Sequence, residues 1–275
     1  MSIKLVGFDL DGTMLSHNGS VTPYTYDVLL KAKEKGVYLV PVTGRALCET
    51  KSVLPQLPVK YLVAVNGAVI YDLEENKIIH KVLPNQEKLL EKLKIALTLD
   101  AYIEVYCGEI YTSQYYYDNM EKLGMRPHLL DIIKGTRTVV PDLYKEIEQR
   151  KQAEKINIWF RDDEQKSKYQ HLFYDEQYFS HTSAFVGALE VGVKNMDKGM
   201  GISMIAEILG VSKEETMAIG DASNDIPMIS WAGLGVAMGN ATDEVKKIAD
   251  VVALTNDEDG AAKAILQYAF RENKI

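Results

Sequence analysis

The sequence predicts an α/β protein, a doubly wound parallel sheet with a smaller α+β domain inserted into it. Three observations predict this. Val/Ile/Leu-rich runs of strand length alternate with helical patterns at both ends of the chain, which marks a parallel sheet covered on both faces. The middle of the chain changes character, with strands in pairs, helices between them and clustered tyrosines, as in "YTSQYYYDN". Acidic, glycine and hydroxyl residues gather directly behind the apolar runs of the outer segments, where open parallel sheets hold their ligands.

In the first segment, residues 3–8 read as a strand. Thr22 caps a helix, Pro23 opens it and Gly36 closes it. "VYLVPV" (37–42) is a second strand, 45–54 a helix that stops by Pro55, and "KYLVAV" (60–65) a third strand. Asn66-Gly67 then turns the chain toward a hairpin, 68–72 with 77–82. The last segment repeats the alternation. A helix over 198–210 puts Ile202, Ile205, Ala206 and Leu209 on one face. "TMAIG", "LGVAM" and "DVVAL" read as strands, separated by the helix "DIPMISWAG" and one starting at Thr242, with a last helix from Asp259. Between the outer segments come a helix over 85–98, the strand pair "YIEVYC" and "EIYTS", helical segments, and the strand "KINIWF". A helix over 163–174 and a final pair, "QYFSHT" with "AFVGALEVGV", follow. The expected organisation is a discontinuous Rossmann-like core, 1–83 and 190–275, around an inserted α+β domain, 84–189. Linkers are expected near 82–84 and 188–193.

Bulk properties narrow the function. The 275 residues suffice for a sizeable core, and 47% hydrophobic with 25% charged residues is ordinary for a soluble globular chain. A net charge of −8 and a pI near 5.3 argue against a nucleic-acid binder and against adhesion to anionic membranes. Cys48 and Cys107 stand alone, too few for a disulfide framework, and no run approaches the ~18 apolar residues of a membrane span. "MSIKLVGF" leads straight into Asp9 without a basic or long apolar leader, so a cytoplasmic location is expected. Oligomeric state, monomer or homodimer, is not written in any heptad.

The chemistry is written at the strand ends. Behind 3–8 come Asp9, Asp11, Gly12 and Thr13; behind 37–42, Thr43, Gly44 and Arg45; behind 60–65, Asn66 and Gly67; behind 216–219, "GDASND" with Asp221, Asn224 and Asp225. Lys198 opens the helix before the last of these strands and can point the same way. Clustered carboxylates raise one another's pKa unless a cation neutralises them, and a few hard oxygens suit Mg²⁺ better than an all-protein Ca²⁺ cage. A calcium loop from Asp9 fails because Met14 and Ser20 occupy the required Gly and Glu positions. "GLGVAMG" is no dinucleotide fingerprint, since Met238 fills the last glycine slot. Mg²⁺, Lys198, the Thr43 hydroxyl and the Gly44 N–H together suit a phosphate. Asp9 beside such a phosphorus can act as nucleophile, and Asp11 can protonate the leaving oxygen and then deprotonate water. Arg45 reads as a structural or helix-surface cation, and Asn66-Gly67 first as a turn.

"DLDGT", "VTGR", "MDKG" and "GDASND", in this order, resemble the four motifs of the haloacid dehalogenase-like (HAD) hydrolase superfamily. "AVNGAVIYD", the long insert between the second and third motifs, and "NDEDGAAKAI" further resemble its Cof-type branch (subfamily IIB). The resemblance implies a Mg²⁺-dependent phosphatase with an α/β cap, acting on a small phosphorylated metabolite. It implies Asp9 as nucleophile and Asp11 as acid/base. Thr43, Gly44, Lys198, Asn224 and the backbone N–H of Leu10 would hold the phosphoryl group. Asp9, the Asp11 carbonyl and Asp221 would bind the metal, with Asp225 in support. The expected substrates are sugar phosphates. The alternatives are a phosphotransferase or mutase using the same intermediate, and a phosphatase of flavin mononucleotide or pyridoxal phosphate.

Overall fold

The computed structural model describes residues 2–127, 130–183 and 187–270. Its strands, in chain order, begin with β1 (Leu5–Phe8), β2 (Tyr38–Pro41), β3 (Tyr61–Ala64), β4 (Val69–Asp72) and β5 (Lys77–Lys81). Then come β6 (Tyr102–Cys107), β7 (Glu109–Ser113), β8 (Arg137–Val140), β9 (Lys155–Trp159), β10 (Phe179–Thr182) and β11 (Ala188–Val193). The last are β12 (Thr216–Gly220), β13 (Leu234–Ala237) and β14 (Val251–Val252). Two compact units hold them. Unit 1 comprises Met1–Arg45, Thr50–Lys81 and Asp197–Ile275, and unit 2 comprises Ala46–Glu49 and Val82–Met196.

Unit 1 is built on a parallel sheet of order β14-β13-β12-β1-β2. β1 and β12 are buried throughout, as strands flanked on both faces must be. The strand order turns at β1, whose neighbours β2 and β12 come from opposite ends of the chain, so the carboxyl ends of β1 and β12 border the switch point where such sheets bind ligands.

The expected third parallel strand joins this sheet through one bridge only, Val42 with Val63, and β3 otherwise pairs antiparallel in β3-β4-β5. The cause is local. Tyr38 and Val42 give their N–H groups to Lys4 O and Phe8 O, so the odd residues of β2 face β3. Thr43 N–H reaches Val63 O at 2.9 Å, but Pro41 has no N–H to give and the ladder stops. The chain then leaves β3 through Val65, Asn66 and Gly67, all at positive φ, a wider turn than a two-residue hairpin.

The helix expected over 45–54 shrinks to Leu47–Thr50. Glu49 accepts the Ala46 N–H at 3.1 Å, and Val53 N–H bonds Thr50 O three residues back, so the α-helical ladder does not continue. The neighbouring helices keep their expected starts. Thr22 caps Pro23–Glu34 through the Thr25 N–H, and Asp197 caps Lys198–Leu209 through the Met200 N–H.

Unit 2 is a six-stranded sheet of order β10-β11-β9-β6-β7-β8, antiparallel except for β7 with β8. Strand alternation sorts its two faces. Ile103, Val105, Ile156, Ile158, Leu189 and Val191 share one face and join an apolar cluster with Leu89, Leu93 and Ile147 from helices. The opposite face carries Glu104, Tyr106, Lys155, Asn157 and Glu190. The stretch 188–193, expected as a linker, is β11, paired on both sides, because every second residue from Leu189 on is buried in that core. Of the strand expected over 184–193, residues 184–186 lie outside the described residues. β8, "RTVV", escaped the sequence reading because four residues give too short a period to read. The long stretch of unit 2 begins after Lys81 and ends before Asp197, about two residues before the boundary expected at 83/84 and about seven beyond the one expected at 189/190.

Candidate active site

The strand ends of unit 1 deliver four charged side chains to one buried cluster. Asp9 follows β1, Asp221 follows β12, Asp225 sits in the turn after it, and Lys198 opens the helix Lys198–Leu209. Lys198 Nζ lies 2.6 Å from Asp9 Oδ1 and 2.5 Å from Asp225 Oδ1, with all three side chains buried. The other oxygen of Asp225 accepts the N–H groups of Asp221 and Ala222, each at 2.9 Å, which fixes the loop carrying Asp221. Thr13 Oγ1 donates to Asp221 Oδ1 at 2.8 Å. One oxygen from each of Asp9, Asp221 and Asp225 falls within 4.8 Å of the others.

The loop behind Asp9 is a single turn, Leu10–Met14, in which Gly12 adopts φ +74°. A Cβ at Gly12 would lie 2.5 Å from Asp221 Oδ2, so both backbone and space demand glycine there. Asn240 Nδ2 donates to Gly12 O at 2.7 Å and pins the turn.

Asp11 points elsewhere. Its two carboxylate oxygens are taken by Arg45, through Nε at 2.8 Å and Nη2 at 2.5 Å, in the fork geometry that favours Arg over Lys. Its side chain is 41% exposed and stands outside the three-aspartate cluster. Arg45, expected as a structural or helix-surface cation, has its side chain only 14% exposed and serves as the partner of Asp11. Thr43 and Gly44 lie at the end of β2, where Thr43 Oγ1 accepts the Arg45 N–H at 3.2 Å. Asn66 Oδ1 would meet a Cβ on Gly44 at 3.1 Å, and it accepts from Asn224 Nδ2 at 3.4 Å. Asn66 therefore stands among the site residues as well as forming the turn. Asn224 is buried, and its Oδ1 has no hydrogen-bond partner among the described residues.

Electrostatics make the cluster unfinished. Three carboxylates and one ammonium leave two negative charges in a buried space. Burial pushes the Asp9 carboxyl well above its ordinary value; Lys198 pulls it down, and Asp225, Asp221 and Asp11 push it up again. Burial and Asp225 raise Asp221 to about 7, against the pull of the Thr13 hydrogen bond. Lys198 is held firmly protonated, since Asp225 and Asp9 outweigh the cost of burying it. A hard divalent cation fits this set of oxygens and would balance both surplus charges.

An acidic cluster at the switch point of a doubly wound sheet, with a lysine between two aspartates, defines a class. The chain matches the haloacid dehalogenase-like hydrolases over residues 6–265 and belongs to that family, in its Cof-type branch, as a phosphoric monoester hydrolase. Among its relatives is the phosphatase YwpJ of Bacillus subtilis, 31% identical over 291 residues, covering 94% of this chain and 98% of that one. The 5-amino-6-(5-phospho-D-ribitylamino)uracil phosphatase YcsE of the same organism is 30% identical over 266 residues, covering 96% and 95%. A haloacid dehalogenase-like hydrolase structure from B. subtilis superposes with a TM-score of 0.83 at 28% identity, covering 96% of this chain and 99% of that one. No helix among the described residues is long and apolar enough to cross a membrane.

Proposed function

We propose that this phosphatase is Mg²⁺-dependent, hydrolyses small sugar-phosphate-type monoesters of the cytoplasm and works through an aspartyl phosphate on Asp9. The observation that carries the reading is Lys198, held between Asp9 and Asp225 beside Asp221 in a cluster with two surplus negative charges. Asp9, Asp221, the carbonyl of Asp11 and, in support, Asp225 would hold the metal. Bound there, Mg²⁺ supplies charge neutralisation for the phosphoryl oxygens. Asp9 Oδ then forms a bond to phosphorus as the ester P–O bond breaks, and Asp11 gives a proton to the departing alkoxide. In the second step Asp11 takes a proton from water, whose oxygen displaces Asp9 and releases inorganic phosphate. Lys198, Thr43, Gly44, Asn224 and the Leu10 N–H would hold the phosphoryl oxygens throughout.

The similarity to YcsE supports a phosphate carried on a sugar-like arm, since that enzyme's named substrate bears it on a ribityl chain. Flavin mononucleotide carries the same arm and is the second reading. A panel of phosphate monoesters assayed with Mg²⁺ tests both. Free phosphate is expected, with the highest kcat/KM on hexose, pentose or ribityl phosphates. Isomerised product without free phosphate would mean a mutase instead.

The raised carboxyls give the metal a pH signature. With Asp9 above its ordinary value and Asp221 near 7 in the metal-free fold, the stability their protonated forms provide is present below the unfolded value near 3.8. It is lost as pH rises through about 7. Mg²⁺ competes with those protons, so its increment in Tm is expected to be larger at alkaline than at mildly acidic pH. Thermal melts with Mg²⁺ and with chelator, on both sides of neutrality, check this; an equal or reversed increment contradicts it.

A further inference from the structure

Asp221 is held from two directions. Its side chain accepts from Thr13 Oγ1 at 2.8 Å, and its backbone carbonyl accepts from the Thr242 N–H at 3.1 Å. Two residues before Thr242, Asn240 donates from Nδ2 to Gly12 O at 2.7 Å, next to Thr13. A closed ring results, from Asn240 through Gly12, Thr13, Asp221 and Thr242 back to Asn240, and all of it lies within unit 1. Asn240 is also fixed at its other end. Its Oδ1 accepts the Asn256 N–H at 3.0 Å, and Asn256 Nδ2 donates to Leu15 O at 2.8 Å, just past the turn Leu10–Met14. A carbonyl on one side and an N–H on the other need both ends of an amide, so a carboxylate could not fill the position.

The segment that carries Asn240 has little slack. Met238 N–H bonds Gly220 O at 3.0 Å at the end of β12, and a Cβ on Gly239 would lie 2.8 Å from Thr255 N. Asn240 is exposed, and a single hydrogen bond at the surface adds little net stability. What the ring fixes is a distance, that between the turn behind β1 and the loop behind β12, which bring Asp9 and Asp221 together. Asp9, Asp221 and Asp225 repel one another, so an unneutralised cluster pushes these loops apart. A divalent ion such as Mg²⁺ tolerates little departure from octahedral geometry, so oxygens already held at the right spacing bind it more tightly.

We infer that Asn240 is a positioning residue for the cation: acting through Gly12 and Thr13, it sets the Asp221 carboxylate and holds the two acidic loops at the spacing a bound divalent ion needs. The inference rests on the metal site proposed above and extends it to a side chain outside the cluster. It requires that loss of the Asn240 amide weaken the grip on Mg²⁺ more than it weakens the fold.

Asn240→Ala tests it, with Mg²⁺ binding read by titration calorimetry in the absence of substrate. The Kd for Mg²⁺ is expected to rise by about 10- to 100-fold, the usual scale for residues that orient metal ligands from behind. In chelator the Tm of the variant should stay within about 4 °C of the parent's, since one exposed hydrogen bond is lost. Thr13→Val opens the same ring at another link and should weaken Mg²⁺ binding as well. Asn240→Ala added to that background should then change Kd far less than it does in the parent. An unchanged Kd, a rise in Kd that merely accompanies a collapse of Tm in chelator, or effects of the two substitutions that multiply in full overturn the inference. The metal reading is judged separately. A parent that binds no Mg²⁺ overturns both, whereas a parent that binds it, with Asn240→Ala binding as tightly, overturns this inference alone.

Discussion

Asp9→Asn is expected to fold normally and to lose turnover by roughly 10⁴-fold or more, the scale on which enzymes lose rate when a nucleophile is removed. An amide oxygen is a far weaker nucleophile than a carboxylate, and a phosphorylated amide would be a poor resting point for the phosphoryl group. The fold should tolerate the change because Lys198 keeps Asp225 as its partner at 2.5 Å. Removing one of three crowded carboxylates also removes the repulsion between Asp9 and its neighbours Asp225 and Asp221. Without Mg²⁺ the variant should therefore melt no lower than the parent. Phosphate release and thermal melting measured side by side check both halves; appreciable residual turnover contradicts the covalent route.

Lys198→Met carries the opposite balance. The methionine fills the space of the buried stem but leaves Asp9, Asp221 and Asp225 without a cation. Breaking a buried pair by deleting one partner costs about 3–5 kcal/mol, and activity should fall by about 10²–10³-fold with the loss of a charge aimed at the phosphoryl oxygens. The deficit has a pH dependence of known sign. With the ammonium gone Asp9 and Asp221 rise further above their ordinary values, so protonation stabilises the fold and stability is lost as pH increases. The variant should approach the parent's Tm in mild acid and under saturating Mg²⁺, and fall furthest behind at alkaline pH in chelator. A deficit that ignores both pH and Mg²⁺ would mean that Lys198 serves packing alone.

Much of this was legible in the sequence for one physical reason. A parallel sheet buried on both faces forces apolar runs, and ligand-bearing residues can then stand only where the runs end. Asp9, Thr43, Asp221 and Asp225 were found by reading the first polar residues behind such runs. Lys198 was weaker, because a lysine at a helix start is ordinarily solvated; its burial comes from the fold placing that helix start against Asp9 and Asp225, behind β1 and β12. Arg45, read as a structural or helix-surface cation, could not be placed further for the same reason in reverse. Nothing in "TGRALCE" says that its guanidinium turns back onto Asp11 rather than out to solvent, since that depends on a partner 34 residues away in sequence. The lost ladder between β2 and β3 had a visible cause in Pro41, but the cost of a proline depends on which way its missing N–H would point, and only the register with β1 decides that. The polar face of the unit 2 sheet was hidden by its own alternation. Alternation puts Glu104 and Tyr106 of "YIEVYC" on one face, yet both are buried, because Arg137 two strands away closes on Glu104 and the Tyr106 hydroxyl donates to Glu49.

The central claim is that phosphorus passes through a bond to Asp9, and the most direct measurement is chemical trapping of that bond. Enzyme is quenched in acid during turnover of a phosphate monoester, reduced with borohydride and mapped by mass spectrometry. The account requires homoserine in place of Asp9, dependent on substrate and on Mg²⁺ and absent from the Asp9→Asn variant. Steady turnover with Asp9 unmodified in every quenched sample, or label on a different side chain, would contradict it.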